Sequence, residues 1–146
     1  MNHIRQQIRD AVKTALTGLS TTGANVFDSR VYELNDAELP ALRIFTNGED
    51  VEIESMGLSR LHKRTLELVV EACVKQNGVF DDTLDAIIKE IEVALAANQG
   101  AGGAKWIQLQ KIEVELAGEG EKPAGVGRMT FQVPYITALG APDVAL

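Results

Sequence analysis

The run Thr65-Leu66-Glu67-Leu68-Val69-Val70-Glu71-Ala72-Cys73-Val74 decides the architecture. Its even positions are apolar throughout, while its odd positions carry Thr65, Glu67, Val69, Glu71 and Cys73. Alternation with a period of two marks a strand with one face in the core, so the run is read as half-buried. Further on, Met129, Phe131, Val133 and Tyr135 alternate with Arg128, Thr130 and Gln132 in a second strand of the same kind. Pro134 lacks a ladder donor, which places that strand along an edge or ends its pairing there. Between the two, residues 106–116 change phase: Ile107 and Leu109 are followed by Ile112, Val114 and Leu116, a switch that predicts a β-bulge near Gln110-Lys111.

Upstream, the pattern predicts strands over 26–32 and 41–46, separated by a polar loop over 33–40 in which Asn35-Asp36 favour a turn and Pro40 disfavours helix before it. Asn47-Gly48 is a two-residue hairpin signal that reverses the chain. Beyond it Val51 and Ile53 alternate with Glu52 and Glu54, a thin pattern fitting either a short exposed strand or an arm.

Two helices accompany the strands. Over 2–19 the apolar residues Ile4, Ile8, Ala11, Val12, Ala15, Leu16 and Leu19 fall on one face and Arg5, Arg9 and Lys13 on the other, with Gly18 and Gly23 bracketing the stop. After the break at Gln76-Asn77-Gly78, Leu84, Ile87, Ile88, Ile91, Ala94 and Leu95 form a second stripe. Asp81 or Asp82 caps that helix, and Asp81, Asp82 and Asp85 complement the positive end of its dipole. Gly100, Gly102 and Gly103 close it, and residues 118–127 read as a Gly- and charge-rich loop. The order helix, strands, helix, strands contains no repeat and no linker. It predicts an α/β (α+β) fold: a single mixed, mainly antiparallel sheet covered on one face by two helices, one domain over 1–138, and a tail over 139–146 with little to fold with.

A chain of 146 residues, 45% of them hydrophobic, is long enough for one core; it can bury roughly 70% of its unfolded surface, so no staple is needed. Composition offers none: Cys73 is the single cysteine, and His3 and His62 are the only histidines. Twenty-one acidic residues against fourteen basic give a net charge of −7, which disfavours a sequence-independent grip on nucleic acid. No stretch approaches the roughly 18 to 20 apolar residues of a membrane span, and the N-terminal stretch has no signal-peptide core.

Catalytic signatures are missing. Gly100-Ala101-Gly102-Gly103 follows a helix and lacks the Gly-Lys-Ser/Thr of a phosphate loop. Cys73 sits inside a strand with no activating base beside it. His62 adjoins Lys63 and Arg64 and reads as part of a solvated basic patch. The Asp81, Asp82 and Asp85 cluster lacks the further ligands of a calcium loop, and Glu113 and Glu115 form an ordinary solvent-facing pair. The reading is therefore non-enzymatic, with no metal and no cofactor.

The pattern resembles a family, the tail terminator (minor tail protein U) of long-tailed bacteriophages. The resemblance rests on Ile8-Arg9-Asp10-Ala11-Val12 with Ala15-Leu16, Val26-Phe27-Asp28-Ser29-Arg30, Glu38-Leu39-Pro40-Ala41-Leu42-Arg43-Ile44, Leu66-Glu67-Leu68-Val69-Val70-Glu71, Asp82-Thr83-Leu84-Asp85 and Met129-Thr130-Phe131-Gln132-Val133. It implies an α/β domain without enzymatic activity, assembled in the host cytoplasm into a hexameric ring on the virion tail. That ring caps the tail tube, ends tail polymerisation and forms the tail side of the head-tail joint. The implied partners are sibling copies, the major tail tube protein and a head-completion or connector protein; one alternative is that the chain is itself such a connector or head-completion protein, and a more distant one is a small-ligand binding protein or enzyme, which would need a pocket with converging polar groups. DNA would pass through the ring without specific binding, which an acidic chain suits. A ring needs two different patches that meet head to tail. Arg60, Lys63 and Arg64 against Glu49, Asp50, Glu52 and Glu54 form one such complementary pair between neighbours, or else an intrachain hairpin contact. Residues 48–60 and 118–127 are either segments that order on assembly or ordinary loops.

Overall fold

The computed structural model describes residues 2–28, 38–54, 60–75, 80–117 and 124–146. Helix α1 (Ile4–Leu16) is followed by strands β1 (Val26–Phe27), β2 (Ala41–Ile53) and β3 (Leu61–Lys75), then helix α2 (Phe80–Ala96), a 3-10 turn at Ala101–Gly103, and strands β4 (Gln108–Ala117) and β5 (Ala124–Ala138). The strands form one sheet in the order β1-β2-β3-β5-β4. β1 runs parallel to β2 and every other neighbouring pair is antiparallel. The fold is α+β, with one mixed, mainly antiparallel sheet and two helices.

The apolar periodicities meet on one side of this sheet. Ile4, Ile8, Val12 and Leu16 of α1 and Leu84, Ile87, Ile88, Ile91 and Leu95 of α2 pack onto Leu42 and Ile44, the even residues of β3 from Leu66 to Val74, and Met129, Phe131, Val133 and Tyr135. Two glycines let α2 lie close: a Cβ at Gly127 would sit 3.3 Å from Ile88, and one at Gly125 would come within 2.6 Å of the Phe80 ring. Burying a side chain of Leu or Ile size contributes about 1.5–3 kcal/mol, so this shared face supplies most of the drive to fold.

Several sequence expectations are corrected. Asn47-Gly48 does not reverse the chain. β2 runs on to Ile53, with Thr46 paired to Leu68 and Gly48 to Glu67, so Asn47 is the extra residue of a β-bulge. Neither residue has positive φ, which a type I′ turn requires at both central positions. Val51 and Ile53 therefore belong to a long strand. Across the bulge the core-facing set moves from Leu42 and Ile44 to Glu49, Val51 and Ile53.

β3 is buried on both faces from Leu68 to Val74, not on one, because it lies between β2 and β5 and its outer face is sheltered by long neighbouring side chains. β5 is interior, between β3 and β4. Pro134 is tolerated because β4 stops pairing at Gln132, two residues earlier. The Pro134 carbonyl accepts instead from the Lys105 N–H at 2.8 Å. The bulge expected near Gln110-Lys111 is present, between Leu109 and Lys111.

The first described residue of α2 is Phe80, so Asp81 and Asp82 lie within its first turn. Residues 124–127, expected in a loop, are strand. The expectations for 29–37, 55–59, 76–79 and 118–123 lie outside the described residues. The closing segment, expected to have little to fold with, turns back onto the domain: Ile4 N–H donates to Pro142 O and Leu146 N–H to Ile136 O, both at 2.9 Å, and Ala145 pairs with Thr137.

Candidate functional site

The bulge at Asn47 brings Glu49 onto the core-facing side of the sheet, and this decides what the charged hairpin can do. Glu49 pairs with Leu66, and Arg64 with Tyr135, in the cross-strand register. The Glu49 carboxylate accepts from Arg64 Nη1 at 2.9 Å and from the Tyr135 hydroxyl. Arg64 Nε also donates to Thr137 Oγ1 at 3.0 Å, and the guanidinium stands 5.9 Å from the Tyr135 ring centre. Burial first, and then the Glu49 bond, push the Tyr135 phenol well above its ordinary range. Close by, burial and the Arg5 charge hold the His3 imidazole below its usual value.

Glu49 and Arg64 are thus joined within one chain. The other hairpin candidates, Asp50, Glu52, Glu54, Arg60 and Lys63, are exposed. Glu52 lies opposite Lys63 and Asp50 opposite Thr65. The Glu54 N–H donates to Leu61 O, while Arg60 O accepts from Leu139 N–H.

The face of the sheet away from the helices carries a row of charge across four strands. Arg43, Glu71, Arg128 and Glu113 occupy successive register positions on β2, β3, β5 and β4. Glu71 accepts from Arg43 at 3.1 Å on one oxygen and from Arg128 at 2.9 Å on the other. Lys111 joins the end of the row through Glu113 at 2.7 Å. The Glu71 bond holds the Arg128 guanidinium above its ordinary value, and the Lys111 bond holds Glu113 below the usual carboxylate range. Beside this row lies an open trough of about 710 Å³, lined among others by Asn47, Glu67, Gln110, Lys111, Thr130 and Gln132. Sequence reading missed the row because its members become neighbours only through strand order, and the one available signal was a charged residue at the same phase of each strand.

The residues weighed for chemistry are not brought together. Cys73 is buried opposite Ala41 and Val126, and its thiol is pushed up by that burial. A buried, protonated thiol is a poor nucleophile. His62 Nδ1 lies 3.5 Å from Arg64 Nη2, beside another cation. Among the described residues, no group of three or more His, Cys, Asp or Glu is placed to hold a metal ion. Among the described residues, no helix is long and apolar enough to cross a membrane.

What the surface offers is sheet edge. β4 has β5 on one side and no described strand on the other, and its helix-facing Ile112 and Val114 are exposed. At the opposite edge, among the described residues, β1 pairs with β2 at Leu42 and Arg43, and the helix-facing Val51 and Ile53 further along β2 are exposed. Fold and surface together define an α+β domain whose described buried charges are paired internally and whose exposed large apolar residues include two at each edge of the sheet, besides Val93 on α2, Trp106 before β4, and Leu139, Val144 and Leu146 in the closing segment. No family model and no curated protein matches the chain. Among solved structures it is similar to a chain of the "Virion of native gene transfer agent (GTA) particle", with a TM-score of 0.47, 17% identity, and 90% of this chain and 92% of that chain covered.

Proposed function

We propose that this chain is a non-enzymatic structural protein of a phage-like virion, acting as a tail terminator. A hexameric ring of copies caps the tail tube, ends its polymerisation and presents the tail side of the head-tail joint. The observation that carries the reading is the pair of unequal edges of one sheet, β4 and the distal half of β2, each exposing helix-facing apolar side chains. Two unlike edges on one subunit suit head-to-tail assembly, which gives a ring where the rotation between neighbours closes. The resemblance to tail terminators supplies the particular role. Asp50, Glu52, Glu54, Arg60 and Lys63 keep charge in solvent and serve contacts between neighbours or with the tube, while Glu49 and Arg64 set the conformation of the hairpin that carries them.

Capping requires one face of the ring to match the tube end and the other to refuse a further tube subunit. The direct test is deletion of the gene followed by electron microscopy of the particles. The expected result is tails of unregulated length that fail to join heads. Normal-length tails joined to filled heads overturn the proposal.

A further inference from the structure

We infer that neighbouring copies join by antiparallel strand addition, β4 of one copy pairing with residues 48–52 of β2 in the next, so that the sheet continues from subunit to subunit. This rests on the ring-forming reading above and names the surface that closes the ring.

Strand direction and side-chain register favour this pairing, and the stagger that follows from the register is compatible with a closed sheet. Because β2, β3, β5 and β4 alternate in an antiparallel series, a copy related by rotation presents its β2 antiparallel to β4, the arrangement that needs no inversion of the subunit.

Setting Lys111 opposite Asp50 places Leu109 opposite Val51, because Gln110 is bulged out of β4, and Glu113 opposite Gly48. A cation then faces an anion on the outer face. On the helix-facing side Leu109 meets Val51, Ile112 falls opposite Glu49, whose carboxylate is held by Arg64 and Tyr135, and lies diagonal to Val51, and no acidic residue confronts another. Cross-strand pairs of these kinds are the unit of sheet stabilisation.

Within one subunit Lys111 is level with Phe45, through Thr130 and Val69. The neighbour's Asp50 lies four pairing steps further along β2, since Asn47 is skipped. A shift of about 13 Å across four strand spacings of about 19 Å in total tilts the strands by about 35°, within reach of the tilt that closed sheets adopt.

Unpaired edges are ordinarily protected by charge or by a bulge. Here the same charges and bulges fall into a complementary register, which turns protection against arbitrary strands into selection of one.

The test is a cysteine pair. Asp50→Cys and Lys111→Cys are introduced together into the full chain, which is assembled at high concentration and on purified tail tubes, then oxidised mildly. Both positions are exposed, and a circular dichroism spectrum matching the parent confirms the fold of each variant. Directly opposed cysteines lie within disulfide reach. The expected result is a covalent ladder ending at the ring size, absent from each single variant and from the off-register pair of Asp50→Cys with Glu115→Cys.

In a second arm, Lys111→Asp weakens association by about fivefold per interface, and Lys111→Asp with Asp50→Lys restores it. Rings of normal size seen by native mass spectrometry without cross-linking, or without rescue by the charge exchange, overturn the strand-addition proposal and leave the ring intact. A parent chain that stays monomeric even on tubes defeats the ring reading itself, and the strand pairing with it.

Discussion

Glu49 and Glu71 are both largely buried carboxylates on the same sheet, yet they stand in opposite situations. Glu49 is on the helix-facing side, 6% exposed, held by Arg64, itself only 13% exposed, and by the Tyr135 hydroxyl in the core. Glu71 is on the other side, 5% exposed, but its partners Arg43 and Arg128 are 23% and 37% exposed. The difference lies in what remains when the carboxylate is removed. Without Glu49, a nearly buried guanidinium and a buried phenol lose their acceptor. Without Glu71, two guanidinium groups can turn to water. A buried ion pair is weak evidence of stabilisation by itself, whereas the cost of breaking it is large when the surviving partner cannot be resolvated.

This contrast orders the expected effects. Glu49→Ala costs about 3–5 kcal/mol, the range for stranding a buried charge, measured by urea unfolding of the isolated chain. Tyr135→Phe keeps the ring packing and the Arg64 pair but removes one bond to an ionised acceptor, for a loss of about 2 kcal/mol. Glu71→Ala costs about 1 kcal/mol because its partners regain water. A loss at Glu71 equal to or greater than that at Glu49 would mean that partner exposure does not govern these sites. A double-mutant cycle of Glu49→Ala with Arg64→Ala sharpens the comparison. Strong coupling is expected, with Arg64→Ala relieving part of the penalty of Glu49→Ala.

The helix-facing side was legible in the sequence, and the charge placements were not. The stripes of α1 and α2 and the alternation of β3 and β5 follow from local period, because each element's apolar residues had only one partner surface to reach. The bulge at Gln110 was legible because Ile107 and Leu109 change phase before Ile112 and Val114. The same phase change separates Leu42 and Ile44 from Val51 and Ile53, but Asn-Gly is also a strong hairpin signal and local turn chemistry prevailed over the longer pattern. The error carried forward: with the chain reversed at Asn47-Gly48, Glu49 has no route to Tyr135, a partner 86 residues away. The exposed hairpin charges were legible as charges. That one acid and one base among them are consumed internally required the register.

At neutral pH titration has the smallest effect of these, and its growth away from neutrality discriminates among the same groups. Burial raises the Cys73 thiol, and burial with the Glu49 bond raises the Tyr135 phenol. In the unfolded chain these groups ionise near pH 8.5 and 10 respectively, while in the folded chain each holds its proton to higher pH. The unfolded state then binds fewer protons, so stability present below about pH 8.5 declines as pH rises, first through Cys73 and, above about pH 10, through Tyr135. His3 acts on the acid side. Its lowered value means that stability is complete above about pH 6.5 and falls as pH drops below it, because the unfolded imidazole protonates first. Urea midpoints from pH 5 to 11 test this directly. Tyr135→Phe should remove the contribution that sets in above about pH 10 while leaving the earlier decline, and Cys73→Ala should do the reverse. If Tyr135→Phe and the parent lose stability equally above pH 10, the alkaline sensitivity there arises elsewhere, and the Glu49 cluster loses the one signature that a purely packing role would not produce.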